Sequence, residues 1–405
     1  MRTALLFFLV TCCVATHLFA EPRVIVIGKS SDKRSISTST VRHDNSENAR
    51  LFLKVLNDNL RRSGWFNVID STSAGIMVSG QVTGSGGISV DVTVSSTTSS
   101  DRFTWSRRGT AAETRDVAHA LCDIIVKNVM NKPGMASSPI IFVGKRGGQT
   151  DVYSCDADGG RLRRLTQDGK TALSPAWKTD RSGFFYTGFL KGAPFIYSIS
   201  FNRNGEMSRD VLSALPGLNN CAAPSPDGRS LALVLSVSGN VELYVMDLAT
   251  KKLTRMTHTP HANEASPTWS PDSQRIAYVS DLSRAPQVYV IGRGERVGKR
   301  VVLGLAESVS PSWGSDGRIA FCGRPSGGTY GIYVMKLGDT PERISPNNGY
   351  AYEEPSWAPD QRHIVATCVR GRTRSLVILD TMGDSPVDLI PSGGEWYLAD
   401  WARAR

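Results

Sequence analysis

The pattern of apolar positions changes character near residue 135. Before that point, apolar residues fall in turn on helical and strand spacings. Beyond it, short β-branched and aromatic runs are separated by turns rich in Pro, Asp and Gly, and the 3.6-residue period disappears. In the first part, residues 44–63 read as a helix with Phe52, Val55, Leu56 and Leu60 on one face. Asp44 is the expected cap, Glu47 follows it three residues on, and Gly64 ends the helix. Residues 113–130 read as a second helix, with Val117, Leu121, Ile124, Ile125 and Val129 on its apolar side. Segments 23–28, 66–69, 75–82 and 88–95 are predicted strands. Residues 29–41 are polar and rich in Ser and Thr, and read as a mobile segment. Residues 21–135 are therefore expected to form a small α/β domain, ending at the hinge Asn131-Lys132-Pro133-Gly134.

The second part repeats. Ser174-Pro175-Ala176-Trp177 recurs as Ser266-Pro267-Thr268-Trp269, Ser310-Pro311-Ser312-Trp313 and Glu354-Pro355-Ser356-Trp357. Ala222-Ala223-Pro224 is a variant, and Leu398-Ala399-Asp400-Trp401 is the last copy. Trp269, Trp313, Trp357 and Trp401 follow one another at intervals of 44 residues, a period typical of propeller blades. Each copy is followed by a Pro-Asp-Gly or Ser-Asp-Gly-type turn, an apolar strand, a third strand that usually carries Tyr, and a fourth ending near Leu-Thr. The first set of outer strands, starting at Ile140, has no inner strand before it. The last inner strand, ending at Trp401, has no set after it. Both facts follow if the C-terminal strand completes the first blade, which removes the open sheet edges of an unclosed ring. The predicted fold is mainly β: a six-bladed β-propeller over residues 136–405, closed by the C-terminal strand, with the small α/β domain before it.

Charge and cysteine content narrow the setting. The chain has 405 residues and a formal net charge of +10, yet its basic residues are scattered, so a generally basic surface is expected rather than a nucleic-acid stripe. Met1-Arg2, the apolar run 4–15 and Leu18-Phe19-Ala20 together read as a cleavable export signal over residues 1–20. Leu9-Val10-Thr11-Cys12 leaves a lipoprotein cleavage open as an alternative. Five cysteines lie beyond the signal, with no paired or metal-binding spacing, so at most one disulfide is expected.

The search for catalytic chemistry is negative. There is no G-x-S-x-G elbow, H-E-x-x-H helix or phosphate-binding loop. Gly84-Ser85-Gly86-Gly87 reads as a hairpin turn, and Asp227, Asp272, Asp316 and Asp360 as turn residues. One carboxylate per separated turn does not build a calcium shell. His258, His261 and Glu264 share a loop, which is read as solvated and not as a metal site. No cofactor is expected. The repeated tryptophans read as packing between blades. What remains is the set of loops leading into the inner strands. They place Leu218, Asn219, Asn220 and Cys221, then Asn263, Glu264 and Ala265, then Tyr350, Tyr352 and Glu353, and finally Trp396 and Tyr397 on one face, a composition suited to protein recognition. A hydrolase or its regulatory propeller, and a binder of small ligands in the channel, remain open as other readings.

The export signal, the α/β domain and six blades of the S-P-x-W-S-P-D type together resemble the TolB family. Residues 240–249 (NVELYVMDLA) and 266–274 (SPTWSPDSQ) are the most similar. The resemblance implies a periplasmic, non-enzymatic adaptor of the Tol–Pal envelope system that supports outer-membrane integrity and constriction at cell division. It implies that the lead-in-loop face, through Leu218 to Cys221 and Asn263 to Ala265, binds the peptidoglycan-associated lipoprotein Pal. It further implies that the mature N-terminal segment, with Glu21, Arg23, Val24 and Ile25, engages a TolA-like inner-membrane protein. Leu218 and Cys221 depart from the small or polar residues of that pattern.

Overall fold

The computed structural model describes residues 33–202, 205–390 and 393–403. The expected export signal, the strand at 23–28 and the segment with Glu21, Arg23, Val24 and Ile25 lie outside the described residues.

The N-terminal part is a five-stranded sheet covered on one face by two helices. Its elements are β1 (Arg34–His43), α1 (Glu47–Arg62), β2 (Phe66–Val68), β3 (Ile76–Thr83), β4 (Ile88–Ser96), β5 (Arg102–Gly109) and α2 (Thr114–Met130). The strand order is β2-β1-β3-β4-β5, and β1 runs parallel to both neighbours. Phe52, Leu56 and Leu60 of α1, Leu121 and Ile125 of α2, and Val78, Val90 and Val92 of the sheet form one buried cluster. Two expectations are corrected, and one strand had no counterpart in the sequence reading. Residues 34–43 are an inner strand of this sheet and not a mobile segment. Only Ile36, Ser37 and Val41 of that strand are buried, so its polar composition reflects one solvated face and a register shift between Ser37 and Thr40. The cap of α1 is Ser46, whose hydroxyl accepts from the Ala49 N–H at 3.2 Å. Asp44 instead accepts from the Ser46 N–H and hydroxyl and from the Gly84 N–H at 2.9 Å, tying the helix start to the β3–β4 hairpin. Finally, β5 is a strand that its three arginines concealed.

The rest of the described chain forms six four-stranded sheets. Blade 1 contains Ile140–Arg146, Gln149–Cys155 and Arg163–Arg164, and its inner strand is the C-terminal Glu395–Trp401, antiparallel to Ile140–Arg146. The inner strands of blades 2 to 6 are Ala172–Trp177, Asn219–Pro224, Glu264–Trp269, Glu307–Trp313 and Ala351–Trp357. The predicted closure is thus the observed one. The repeated tryptophans are buried between blades. Trp269 Nε1 donates to the Ala223 carbonyl of the preceding blade at 2.9 Å, and Trp357 Nε1 to that of Ser312 at 3.1 Å. Arg293 and Arg318 lie over the Trp269 and Trp357 rings at 4.9 and 4.7 Å.

Two features recur around the ring. Each inner strand is bulged, with one residue at positive φ in each: Ser174, Cys221, Ser266, Ser310, Glu354 and Leu398, all between 48° and 56°. In four of the six inner strands the residue before the tryptophan then reaches the next blade. Thr268, Ser312 and Ser356 hydroxyls accept the backbone N–H of Trp313, Trp357 and Trp401 at 3.0–3.3 Å. Asp400 completes the circuit: it accepts the Trp177 N–H at 2.8 Å and the Ser356 hydroxyl at 3.3 Å. Where the residue is Ala176, with no acceptor, the next blade presents Pro224, with no N–H.

The α/β part sits against the turn side of blades 1 and 6. Arg115 of α2 pairs with Asp156 at 2.7 Å and Asp158 at 2.6 Å, and Arg161 pairs with Asp116 and Asp156. His119 Nε2 lies 3.2 Å from Asp156, while its Nδ1 lies 2.9 Å from Asn59 Nδ2. Around blade 6, Lys33 pairs with Asp384, and Arg362 pairs with Asp380 while stacking on Trp65 at 4.4 Å. His363 is buried between Asp360 at 2.6 Å and Asp380 at 3.5 Å. Burial alone would depress its pKa, but the Asp360 and Asp380 carboxylates override this and raise it to about 9.

Two outcomes follow. Burial raises the Asp400 carboxyl to about 6, so at neutral pH its acceptor geometry favours the closure while its charge does not. Asp400→Ala should lower stability by about 1–3 kcal/mol because the Trp177 N–H loses its partner. Asp400→Asn, which keeps an oxygen there, should cost far less; urea denaturation showing equal losses would refute this account. For His363, a folded pKa above the unfolded value of about 6.5 means stability that is fully present below pH 6.5 and lost as pH rises through about 9. The melting-temperature gap between the wild type and His363→Gln should therefore narrow from pH 6 to pH 10, and a constant gap would overturn the assignment.

Candidate functional site

The antiparallel order of each blade decides which loops share a face. The turns between first and second strands, and between third and fourth, lie on the side covered in part by the α/β domain. The hairpins between second and third strands, and the loops leading into each inner strand, lie on the opposite side, which faces away from that domain.

The structure distributes the expected recognition residues unevenly over this open face. Asn263 and Ala265 are exposed, and Asn263 donates its backbone N–H to Asp281 at 2.7 Å. Leu218, Asn220, Cys221 and Glu353 are half-buried. Asn219 is buried, with its side chain bonded to Ser213 and to the Leu215 carbonyl, so it shapes the loop from within. Glu264 is also buried, accepting from Thr259 and Ser280, and burial raises its carboxyl to about 7. The reading of Tyr352, Trp396 and Tyr397 as projecting rim aromatics is corrected, because all three are buried. Trp396 packs edge-on against Phe142 and Tyr153 inside blade 1, and the Tyr352 hydroxyl meets Asn348. These residues fall in the strands themselves, which are packed on both sides against neighbouring blades. Tyr350, just before the strand, remains exposed.

Behind this face, the inner strands enclose a channel cavity of about 220 Å³. Its wall is made by the bulged residues and their neighbours, including Ser174, Cys221, Ser266, Glu354, Asp400 and Arg403. Glu354 is held by the Leu398 N–H and the Thr367 hydroxyl, both at 2.8 Å. The wall is therefore polar but largely satisfied by its own hydrogen bonds. Among the described residues, all five cysteines are free. Asp227, Asp272, Asp316 and Asp360 each accept backbone N–H groups of their own turns, as expected for turn residues. His258 and His261 are exposed, and Glu264 is turned inward to Thr259 and Ser280. Among the described residues, His119, Asp156 and Asp158 form the one group with the spacing of metal ligands, but Arg115 and Arg161 already pair with its carboxylates. Sequence reading missed this cluster because His119 lies 37 and 39 residues before Asp156 and Asp158 and meets them only when the two parts dock.

Comparison with known proteins agrees with this architecture. TolB from Acinetobacter baumannii superposes with a TM-score of 0.81 over 92% of this chain and 97% of that one, at 23% identity. A TolB described from Agrobacterium tumefaciens gives 0.50 over 64% of this chain and 89% of that one, at 18% identity. At these identities the likeness concerns the fold. Among curated relatives, a TolB homolog of Chlorobium chlorochromatii is 30% identical over 53% of this chain and 48% of its own length. A Tol-Pal system protein TolB of Desulfosudis oleivorans is 27% identical over 38% of this chain and 34% of its own length. The chain thus matches less than half the length of these relatives. The TolB beta propeller domain model matches residues 126–405, and with six blades closed by the C-terminal strand, this chain belongs to the TolB β-propeller family.

Proposed function

We propose that this protein is a non-enzymatic adaptor of the Tol–Pal envelope system, acting in the periplasm. Its open propeller face holds a Pal-like peptidoglycan-associated lipoprotein. Its N-terminal segment, with Glu21, Arg23, Val24 and Ile25, engages a TolA-like inner-membrane protein. The link between the two serves outer-membrane integrity and constriction at division. Family membership supports the system, and one structural observation supports the face: the α/β domain covers only the turn side, and the lead-in loops with Asn263 and Ala265 stay exposed on the other. The described helices include none long and apolar enough to cross a membrane.

Binding of the purified soluble domain of Pal from the same cell tests this. The wild type should bind it, and Ala265→Arg, which places a long side chain on the exposed loop, should weaken binding by about tenfold, or 1.4 kcal/mol, with an unchanged melting temperature. No binding by the wild type would overturn the reading.

A further inference from the structure

The open face is chemically divided. Blades 6, 1 and 2, which are neighbours in the ring, carry its cations. Lys145 and Arg146 stand on the hairpin of blade 1. Lys170 and Lys191 stand on the lead-in loop and hairpin of blade 2, and Arg370, Arg372 and Arg374 on the hairpin of blade 6. All seven are exposed. Three carboxylates of this sector are already engaged: Glu395 pairs with Lys145 at 3.3 Å, Asp388 with Arg370 at 3.0 Å, and Asp168 with Arg209 at 2.6 Å, while the half-buried Glu353 lies within the field of Arg374. Among the described residues, Arg146, Lys170, Lys191, Arg372 and Arg374 have no carboxylate partner. Arg146 and Arg374 lie over the buried rings of Trp396 and Tyr397, at 5.7 and 5.2 Å, which fixes their positions without neutralising them.

Blades 3 to 5 differ. Val237 and Leu282 project from the hairpins of blades 3 and 4, and Leu303 and Tyr350 from the loops that lead into blades 5 and 6, with exposures of 42%, 44%, 53% and 41%. The cations here are fewer: Arg324 is paired with Glu307, and Arg284 shares a turn with Asp281. Tyr350 lies under Arg370 at 5.6 Å and marks the boundary between the two halves.

We propose that the open face is built to receive an acidic protein surface with an adjoining apolar patch, in a single orientation. The acidic part lies over blades 6, 1 and 2, and the apolar part over blades 3 to 5. This deepens the reading of the face as a docking site for a protein and rests on it. An anionic polymer or lipid surface would use the cations but would leave the exposed apolar half uncovered, so a folded protein fits the pair of sectors better. Unpaired cations on one sector raise the local potential, speed encounter and align the partner, while burial of the apolar sector slows its departure.

The test is the association kinetics of full-length protein with the soluble Pal domain. Lys170→Glu combined with Lys191→Glu and Arg372→Glu should lower the association rate by about tenfold at low salt. The difference should nearly vanish at 1 M salt, where the screening length is about 3 Å. Leu282→Ser with Leu303→Ser should instead raise the dissociation rate several-fold at either salt concentration. Arg102→Glu with Arg108→Glu, on β5 of the α/β domain, should change neither. An unchanged association rate in the triple variant, with wild-type binding intact, overturns the two-sector proposal alone. So does loss of binding to phosphatidylglycerol vesicles in that variant while Pal binding is unchanged. Failure of the wild type to bind Pal overturns the docking reading and the proposal with it.

Discussion

A propeller blade is a sheet with two broad faces and two edges, and it buries its faces only against its neighbours. The ring is stable only if it closes. Here closure depends on one long-range pairing, that of Glu395–Trp401 with Ile140–Arg146. The same strand carries Asp400, which accepts the Trp177 N–H of blade 2 and the Ser356 hydroxyl of blade 6. One side chain therefore spans the blades on both sides of the seam. The α/β domain reinforces the seam from below, because its ion pairs fall on Asp156 and Asp158 of blade 1 and on Asp380 and Asp384 of blade 6. Opening the ring between these blades would pull that domain's contacts apart as well.

The constraint explains why so much of the propeller was legible. A blade repeats its local chemistry: Pro and Trp at fixed places, an Asp that ties its own turn, and β-branched residues in the inner layers. The phase mismatch between inner and outer strands then left closure by the C-terminal strand as the simplest solution. The α/β part has no repeat to average over. In β1, only Ile36 and Val41 mark the buried face among apolar residues, and a bulge breaks their period, so the strand resembled a polar linker. Ser46 and Asp44 are both good capping residues, and only the position of the β3–β4 hairpin, which Asp44 also binds, decides between them.

The candidate face was less legible, for a physical reason. A blade strand is covered on both of its sides by neighbouring blades, and the start of each inner strand falls inside the segments read as loops. Tyr352, Trp396 and Tyr397 thus turned inward, where aromatic burial is favourable, while Tyr350, Asn263 and Ala265 remained outside. The inter-blade circuit shows in the sequence as Thr, Ser or Asp before the tryptophan in four of the six copies, with Ala176 and Ala223 at that place in the other two. Its meaning needs the neighbouring blade, 44–46 residues away, which a single repeat does not display.

The two sides of the disc use charge in opposite ways. On the covered side, charges are paired and partly buried: Arg115, Arg161 and Arg362 meet Asp156, Asp158, Asp116 and Asp380. Removing one member of such a pair leaves the other desolvated, so these pairs fix the domain arrangement. On the open side, Glu395, Asp388 and Asp168 are paired, while Arg146, Lys170, Lys191, Arg372 and Arg374 have no ion-pair partner among the described residues. Exposed single charges add little to folding, and several of one sign on neighbouring tips repel each other mildly. Their arrangement therefore has no evident role in stability. It is consistent with a surface whose partner supplies the opposite charge, while the paired side keeps the ring and the α/β domain in one piece.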